Sequence, residues 1–421
     1  MNNNVVPLAV LPYLTAELPG VGGAIKRYDE DFVVEEMPRY APSGSGTHVY
    51  FAIEKRGLPT LAAIQHIARA LGRQPRDIGY AGMKDAHGVT RQMLSLEHID
   101  PARIESLSLS RIKVLSISRH TNKLKLGHLA GNRFIVKIRD AQQAPEHAVR
   151  TIVDVLVARG LPNYFGPQRF GSRGDNALIG EAVLRGDHHE AIALMLGRPG
   201  PLDHGDARRA RELFDKGDYS AAADAWPRGT FAQQSRLCRA LAKNDGNVRQ
   251  TWRVADHNLR KLFLSAFQSD LFNRVLARRI ELGLFDRLQA GDIAYKHVNG
   301  ACFRVEDAAV EQLRCDSFEI SPTGPLFGRR MTAASGEPGE LESRILADSR
   351  VNQEQLSGRD SGRLDGARRP LRVPLRDVRL ESGDDEHGRF LLLAFELPAG
   401  AYATNLIREV CKPSAENGIY S

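Results

Sequence analysis

Residues 161 to 171 read Leu-Pro-Asn-Tyr-Phe-Gly-Pro-Gln-Arg-Phe-Gly: two glycines, two prolines, three aromatics and an arginine in eleven positions. No regular helix or strand tolerates that mixture, because proline fixes φ and removes a donor while glycine loosens the backbone. The stretch therefore divides the chain. Before it, strand patterns alternate with amphipathic helices. After it, helical segments follow one another around 176–185, 188–196, 207–216 and 262–284. In the last of these Phe263, Phe267, Leu271 and Val275 recur at four-residue steps, one face of a helix. Aromatics beside Arg169 suit base stacking and phosphate contact. A tight, buried connection between domains suits them equally.

The first part alternates on the strand period. Val49, Phe51 and Ile53 mark a half-buried strand, and Phe32-Val33-Val34 a shorter one. Thr60 is placed to cap a helix through Leu61, Ile64, Ile67, Ala68 and Leu71, which Gly72 ends. Next, Gly82-Met83-Lys84-Asp85-Ala86-His87-Gly88 joins the run at Ile78 to the strand-like Gln92 to Leu96. It holds one short carboxylate, Asp85, on a turn between strands with cations beside it. Such a group serves nucleophilic or general-base chemistry, or simply caps the turn. Phe134, Val136 and Ile138 predict another strand. Residues 145–159 predict an amphipathic helix with Pro145 in its first turn. From about 335 the chain returns to strands that complete the first domain, including a buried strand over 390–398 and a turn and helix over 399–410. Between 359 and 379 there are seven arginines against three aspartates, an excess of four positive charges in a loop-like stretch suited to phosphates.

Composition narrows the partners. A formal charge of +7 and a pI near 9.3 favour a polyanion. The start lacks a basic n-region and is broken by prolines, so no signal peptide is read there. No apolar run reaches the ~18 residues of a membrane span, and four scattered cysteines suit reduced thiols; a cytoplasmic protein is expected. There is no phosphate-binding loop, dinucleotide fingerprint or metal-ligand spacing, so neither cofactor nor metal is expected.

The string Gly82-Met83-Lys84-Asp85…Gly88-Val89-Thr90-Arg91-Gln92 closely resembles the signature of the TruD family of tRNA pseudouridine synthases. So do Glu30 to Glu36, Gly131-Asn132-Arg133-Phe134, Asn163 to Gly171, Ser265 to Asn273, Ser321 to Gly328 and the closing Leu397 to Glu409. The resemblance implies an α+β pseudouridine-synthase-type catalytic domain with a mixed, largely antiparallel sheet. It would be formed by residues 1–171 and 335–421 and interrupted by an inserted α+β TRUD domain over 172–334. It implies Asp85 as the catalytic carboxylate, supported by Lys26, Lys84, Asn132 and Phe134. The expected substrate is tRNA, at uridine-13, and the expected state a monomer. Residues expected to touch RNA are Asn163, Tyr164, Phe165, Gln168, Arg169 and Phe170, with Arg368, Arg369 and Arg372 from the basic stretch. Residues 335–365 and that stretch match the family poorly, which leaves another RNA target open. Two further classes stay open: a non-catalytic RNA-binding or chaperone protein on the same fold, and a glycoside hydrolase pairing Asp85 with Asp77.

Overall fold

The computed structural model describes residues 11–141, 146–358 and 364–412. By contacts the chain divides into two compact units. One comprises residues 14–161 and 373–421, the other residues 1–13 and 162–372. The expected insert boundaries were 172 and 334. Residues 335–358 form helices, Gly336–Ala347 and Gln353–Ser357, where strands were expected.

The first unit is built on an eight-stranded mixed sheet. Its strands are β1 (Phe32–Pro38), β2 (His48–Arg56), β3 (Gly79–Tyr80), β4 (Val89–Glu97), β5 (Ile112–His120), β6 (Leu129–Arg139), β7 (Arg376–Asp385) and β8 (Gly388–Pro398). They run in the order β7-β8-β6-β1-β4-β2-β5, with β3 against the far end of β4. Every pairing is antiparallel except β1 with β4. Since side chains alternate faces along a strand, register decides which residues share a face. One transverse row runs Lys55, Thr90, Val34, Phe134, Phe395 across β2, β4, β1, β6 and β8. One residue along, on the opposite face, the row Glu54, Arg91, Glu35, Arg133, Glu396, Arg376 alternates in charge over six strands. Arg91 bonds both Glu54, at 3.0 Å, and Glu35. Opposite charges set directly across from one another stabilise the pairing.

The face that carries Val34 and Phe134 is covered by helices. α1 (Thr60–Leu71) buries Ala63, Ile64 and Ile67 with Val49, Phe51 and Ile53 of β2, beside Ile104 of the short α2 (Pro101–Glu105). α3 (Glu146–Arg159) and α4 (Ala403–Cys411) bury Val149, Ile152, Leu156, Leu406 and Val410 with Val136, Leu393 and Phe395. Helix α1 begins at Thr60 itself, after Pro59 as N-cap, and ends at Gly72 in the left-handed region. Thr60 is therefore no cap, and its hydroxyl is used elsewhere. Pro145, expected in the first turn of α3, lies outside the described residues.

The second unit is mainly helical. Helices Asn176–Leu184, His188–Leu196 and His257–Glu281 enclose an apolar core in which Phe263, Phe267 and Leu271 are buried as their spacing predicts. A Cβ on Gly180 would meet the Phe263 carbonyl oxygen at 2.2 Å, so glycine is what lets these two helices approach. A four-stranded sheet, in the order Ala367–Pro370, Ile320–Leu326, Ile293–Lys296, Cys302–Arg304, completes the unit.

An ion cluster ties the two chain segments of the first unit. Arg139, 2% exposed, bonds Asp31 at 2.6 Å and Asp385 at 2.8 and 2.9 Å, and Lys137 bonds Asp385 at 2.6 Å. Hydrogen bonds from Arg139, then Lys137, hold the Asp385 carboxyl well below the usual carboxylate range. A carboxylate with a depressed folded pKa stabilises above its unfolded value, roughly 3.9, and that stability is lost as pH falls through the folded value. Asp385→Asn is expected to melt below wild type at neutral pH. The gap should close as pH drops below about 4, as read by calorimetry across pH.

Candidate active site

Asp85 lies on the loop 81–88, which leaves the two-residue β3 and enters β4. The connection is wider than the tight turn its glycines suggested. β1 occupies one edge of β4 from Val89 to Arg91, and β3 pairs with that edge only at Leu94 and Ser95. The loop therefore passes over the sheet instead of folding back as a hairpin. Gly88 sits at φ +128°, and a Cβ there would meet the Phe32 carbonyl oxygen at 2.4 Å. Only glycine brings the loop this close to β1.

The loop is tied along its length. Gly88 N–H donates to Asp29 at 3.1 Å, and the Gly88 carbonyl accepts from Gly57 N–H at 3.1 Å. Lys84 N–H donates to Thr60 Oγ1 at 2.9 Å, whose hydroxyl hydrogen goes to Gln92 Oε1 at 2.9 Å. Lys55 Nζ, from the floor, donates to the Asp85 carbonyl at 2.8 Å and to the Leu58 carbonyl at 2.5 Å.

The Asp85 side chain points to a different cation. Lys26 Nζ meets Asp85 Oδ2 at 2.9 Å, with the lysine side chain 10% exposed and the aspartate 37%. The ammonium also lies 4.0 Å from the centre of the Phe32 ring, a cation–π contact. Lys26 adopts φ +62°, where a non-glycine residue is strained by roughly 1–3 kcal/mol and the surrounding structure must hold it. Arg139 anchors the segment two residues earlier, exchanging backbone hydrogen bonds with Ala24 at 2.9 Å.

Lys84 turns away from Asp85. Its Nζ donates to Asn132 Oδ1 at 2.6 Å and forms an ion pair with Glu36 Oε2 at 3.0 Å, the two charged side chains 4% and 3% exposed. Asn132 lies opposite Glu36 in the β1–β6 register, two residues from Phe134 on the same face. Phe134 is 7% exposed and stacks on Phe395 at 5.3 Å. Its first service is thus to the core, with one edge of the row toward Asn132. Of the residues expected here, Lys26, Lys84 and Asn132 lie around the loop. Glu36, Lys55, Thr60 and Gln92 were not expected at this site. Strand parity could have found the first two: Glu36 follows Phe32 and Val34 on the inward face, and Lys55 follows Phe51 and Ile53. Asp77, offered as a second carboxylate, caps its own turn by accepting from Gln74 N–H at 3.1 Å.

The residues expected to touch RNA lie in the second unit, and most are turned inward. Asn163, Tyr164, Phe165 and Phe170 are buried; Gln168 is exposed and Arg169 half-buried. Phe165 packs edge-on against Phe272, with its backbone held at both ends by Asn273. That matches the tight connection more closely than a stacking platform. Nor is the basic stretch a loop. Arg368 lies on strand Ala367–Pro370 with its side chain 3% exposed, paired to Glu342 at 2.6 Å. Arg369 packs 4.2 Å from the centre of the Phe165 ring and bonds Asn163 Oδ1 at 2.5 Å. Arg372, 1% exposed, donates to the Cys315 carbonyl. These three guanidiniums are engaged by partners within the second unit, Glu342, Asn163 and the Cys315 carbonyl. Arg359 and Arg363 fall outside the described residues.

Removing Lys84 should expose what its pairing balances. Lys84→Met leaves the Glu36 carboxylate buried without its cation, which costs roughly 3–5 kcal/mol. Adding Glu36→Gln should recover much of that loss, as measured by urea denaturation of the single and double variants.

The family model described as tRNA pseudouridine synthase D (TruD) matches residues 10–410. The tRNA pseudouridine synthase D of Geobacter sulfurreducens is 46% identical over 400 residues, covering 95% of this chain and 96% of the relative. That of Geobacter metallireducens is 47% identical over 400 residues, with 95% and 97% covered. A crystal structure of TruD from Methanosarcina mazei matches with a TM-score of 0.83 and 28% identity, over 96% of this chain and 97% of that one. The chain belongs to the TruD family of tRNA pseudouridine synthases.

Proposed function

We propose that this enzyme isomerises uridine-13 of tRNA to pseudouridine with Asp85 as the catalytic carboxylate. The observation that carries the proposal is the Lys26–Asp85 pair. It joins a solvent-reachable carboxylate to a largely buried cation at 2.9 Å, on a loop fixed by glycine geometry and backbone anchors. The reaction breaks the N1–C1′ bond, turns the uracil, and forms C5–C1′. The proton lost at C5 is matched by one gained at N1, so the change needs no redox partner and no water. A carboxylate serves either by attacking C1′ or by removing a ribose proton. Both routes use the Asp85 carboxylate in its ionised form, with Lys26 as its paired cation.

Around it, Lys84 holds Asn132, and Asn132 with the edge of Phe134 is proposed to receive the uracil once it is out of the stack. Gln168 and Arg169, the two of the six expected RNA contacts in that stretch that are not buried, are its proposed contacts with RNA. A hydrolase would want a second carboxylate at a set separation. Glu36 does not supply it, since Lys84 and the Met93 N–H engage its two oxygens.

Asp85→Asn keeps the size and loses the charge. It is expected to fold and to bind tRNA with an affinity near wild type, yet to form no pseudouridine by carbodiimide mapping of tRNA. Product accumulating at a wild-type rate would remove Asp85 from the role. Loss of a base, read as a mass change in the RNA, would favour hydrolysis over isomerisation.

A further inference from the structure

We propose that Lys55 is a positioning residue for the Asp85 carboxylate, holding the loop backbone from beneath while Lys26 holds the side chain from above. The inference rests on Asp85 being the catalytic group. Lys55 continues the inward parity of Val49, Phe51 and Ile53 and is 0% exposed, a position where an apolar side chain would ordinarily finish the row. Instead it carries an ammonium whose hydrogen-bond partners are two carbonyls, those of Asp85 and Leu58. Among the described residues no carboxylate oxygen lies within ion-pair distance of it. Burying a charge without a counter-ion is expensive, and packing alone would be better served by methionine or leucine. What the ammonium gains is its place. The Leu58 carbonyl belongs to the segment leading into α1, and the Asp85 carbonyl to the loop, so one cation joins the two.

The neighbouring anchor has the same logic. Thr60 opens α1 and takes the N–H of Lys84, so consecutive residues of the loop are held by the start of one helix and the end of one strand. The charges that face Lys55 are Asp85, which favours its ammonium form, and Lys84, which opposes it. Burial outweighs both and pulls its pKa down to about 8. The grip on the Asp85 carbonyl therefore weakens in mildly alkaline solution, well before an ordinary lysine would lose its proton.

The test measures single-turnover pseudouridine formation at saturating tRNA for wild type, Lys55→Met, Lys55→Gln and Asp85→Asn, beside tRNA affinity and melting temperature. Lys55→Met should be slower at neutral pH by roughly 10- to 100-fold, the usual worth of a charged hydrogen bond, with its tRNA dissociation constant within about twofold of wild type. Lys55→Gln, a neutral donor, should fall between. Wild type should slow as pH rises through about 8 without melting earlier, and this alkaline limb should be missing in Lys55→Met. A folded Lys55→Met with a wild-type rate overturns the proposal, as does one that is slow but keeps the limb. Should Lys55→Met fail to fold, Lys55→Gln and the wild-type profile decide, and a flat profile through about 8 overturns it. An active Asp85→Asn would sink the catalytic assignment itself. An inactive one beside an unimpaired Lys55→Met would sink the positioning role alone.

Discussion

Everything at the site depends on the register of five strands. Because side chains alternate faces along a strand, one alignment sets Lys55, Thr90, Val34, Phe134 and Phe395 in a row under the helices. The same alignment sends Glu54, Arg91, Glu35, Arg133, Glu396 and Arg376 to the opposite face in alternating charge. A slip of one residue between any two strands would bury part of the charged row and expose part of the apolar one. The charged row thus guards the register on which the inward row relies. The single parallel pairing, β1 with β4, also belongs here. It occupies the edge of β4 that a hairpin strand would have taken and sends the loop over the sheet.

The loop itself is a piece of irregular backbone held at several points. Thr60, Asp29, Gly57 and Lys55 each meet one backbone atom of residues 84 to 88. That leaves the Asp85 carboxylate as a group the floor does not claim, reached by Lys26 from a strained segment that Arg139 anchors. Rigidity in the support and exposure in the reactive group are what a positioned catalytic side chain requires.

Much of this was legible in the sequence, and the failures share a cause. Strand periodicity located β1, β2, β4, β6 and β8, and helical periodicity located α1, α3 and the long helix His257–Glu281, because those patterns report burial directly. The resemblance around Gly82 to Gln92 pointed to Asp85, and Lys26 does meet it. Polar residues were harder. Arg368 and Arg372 read as a basic loop, yet they are buried on strands against Glu342 and the Cys315 carbonyl, since a charge count says nothing of partners distant in sequence. Asn163 and Asn273 likewise satisfy backbone groups inside the second unit. Thr60 looked like a cap because its position next to a helix is the usual one, but its hydroxyl is drawn to Lys84 N–H, twenty-four residues onward. Local spacing shows what a side chain could do nearby. It does not show which distant donor arrives first.

The order of synthesis gives one feature of the sheet a further meaning. β6 lies between β1 and β8, and its Lys137 bonds an aspartate 248 residues later in the chain. At roughly 5–20 residues per second on the ribosome, β6 emerges tens of seconds before its second neighbour exists. During that interval it is an apolar edge, with Phe134, Val136 and Ile138 on one side and open backbone hydrogen-bonding groups along its length. The 162–372 unit, whose contacts lie almost wholly within one continuous segment, has no such wait. For the catalytic sheet, the nascent chain spends that time as a template for the wrong strand, and the closing helix α4 arrives with β8 to end it.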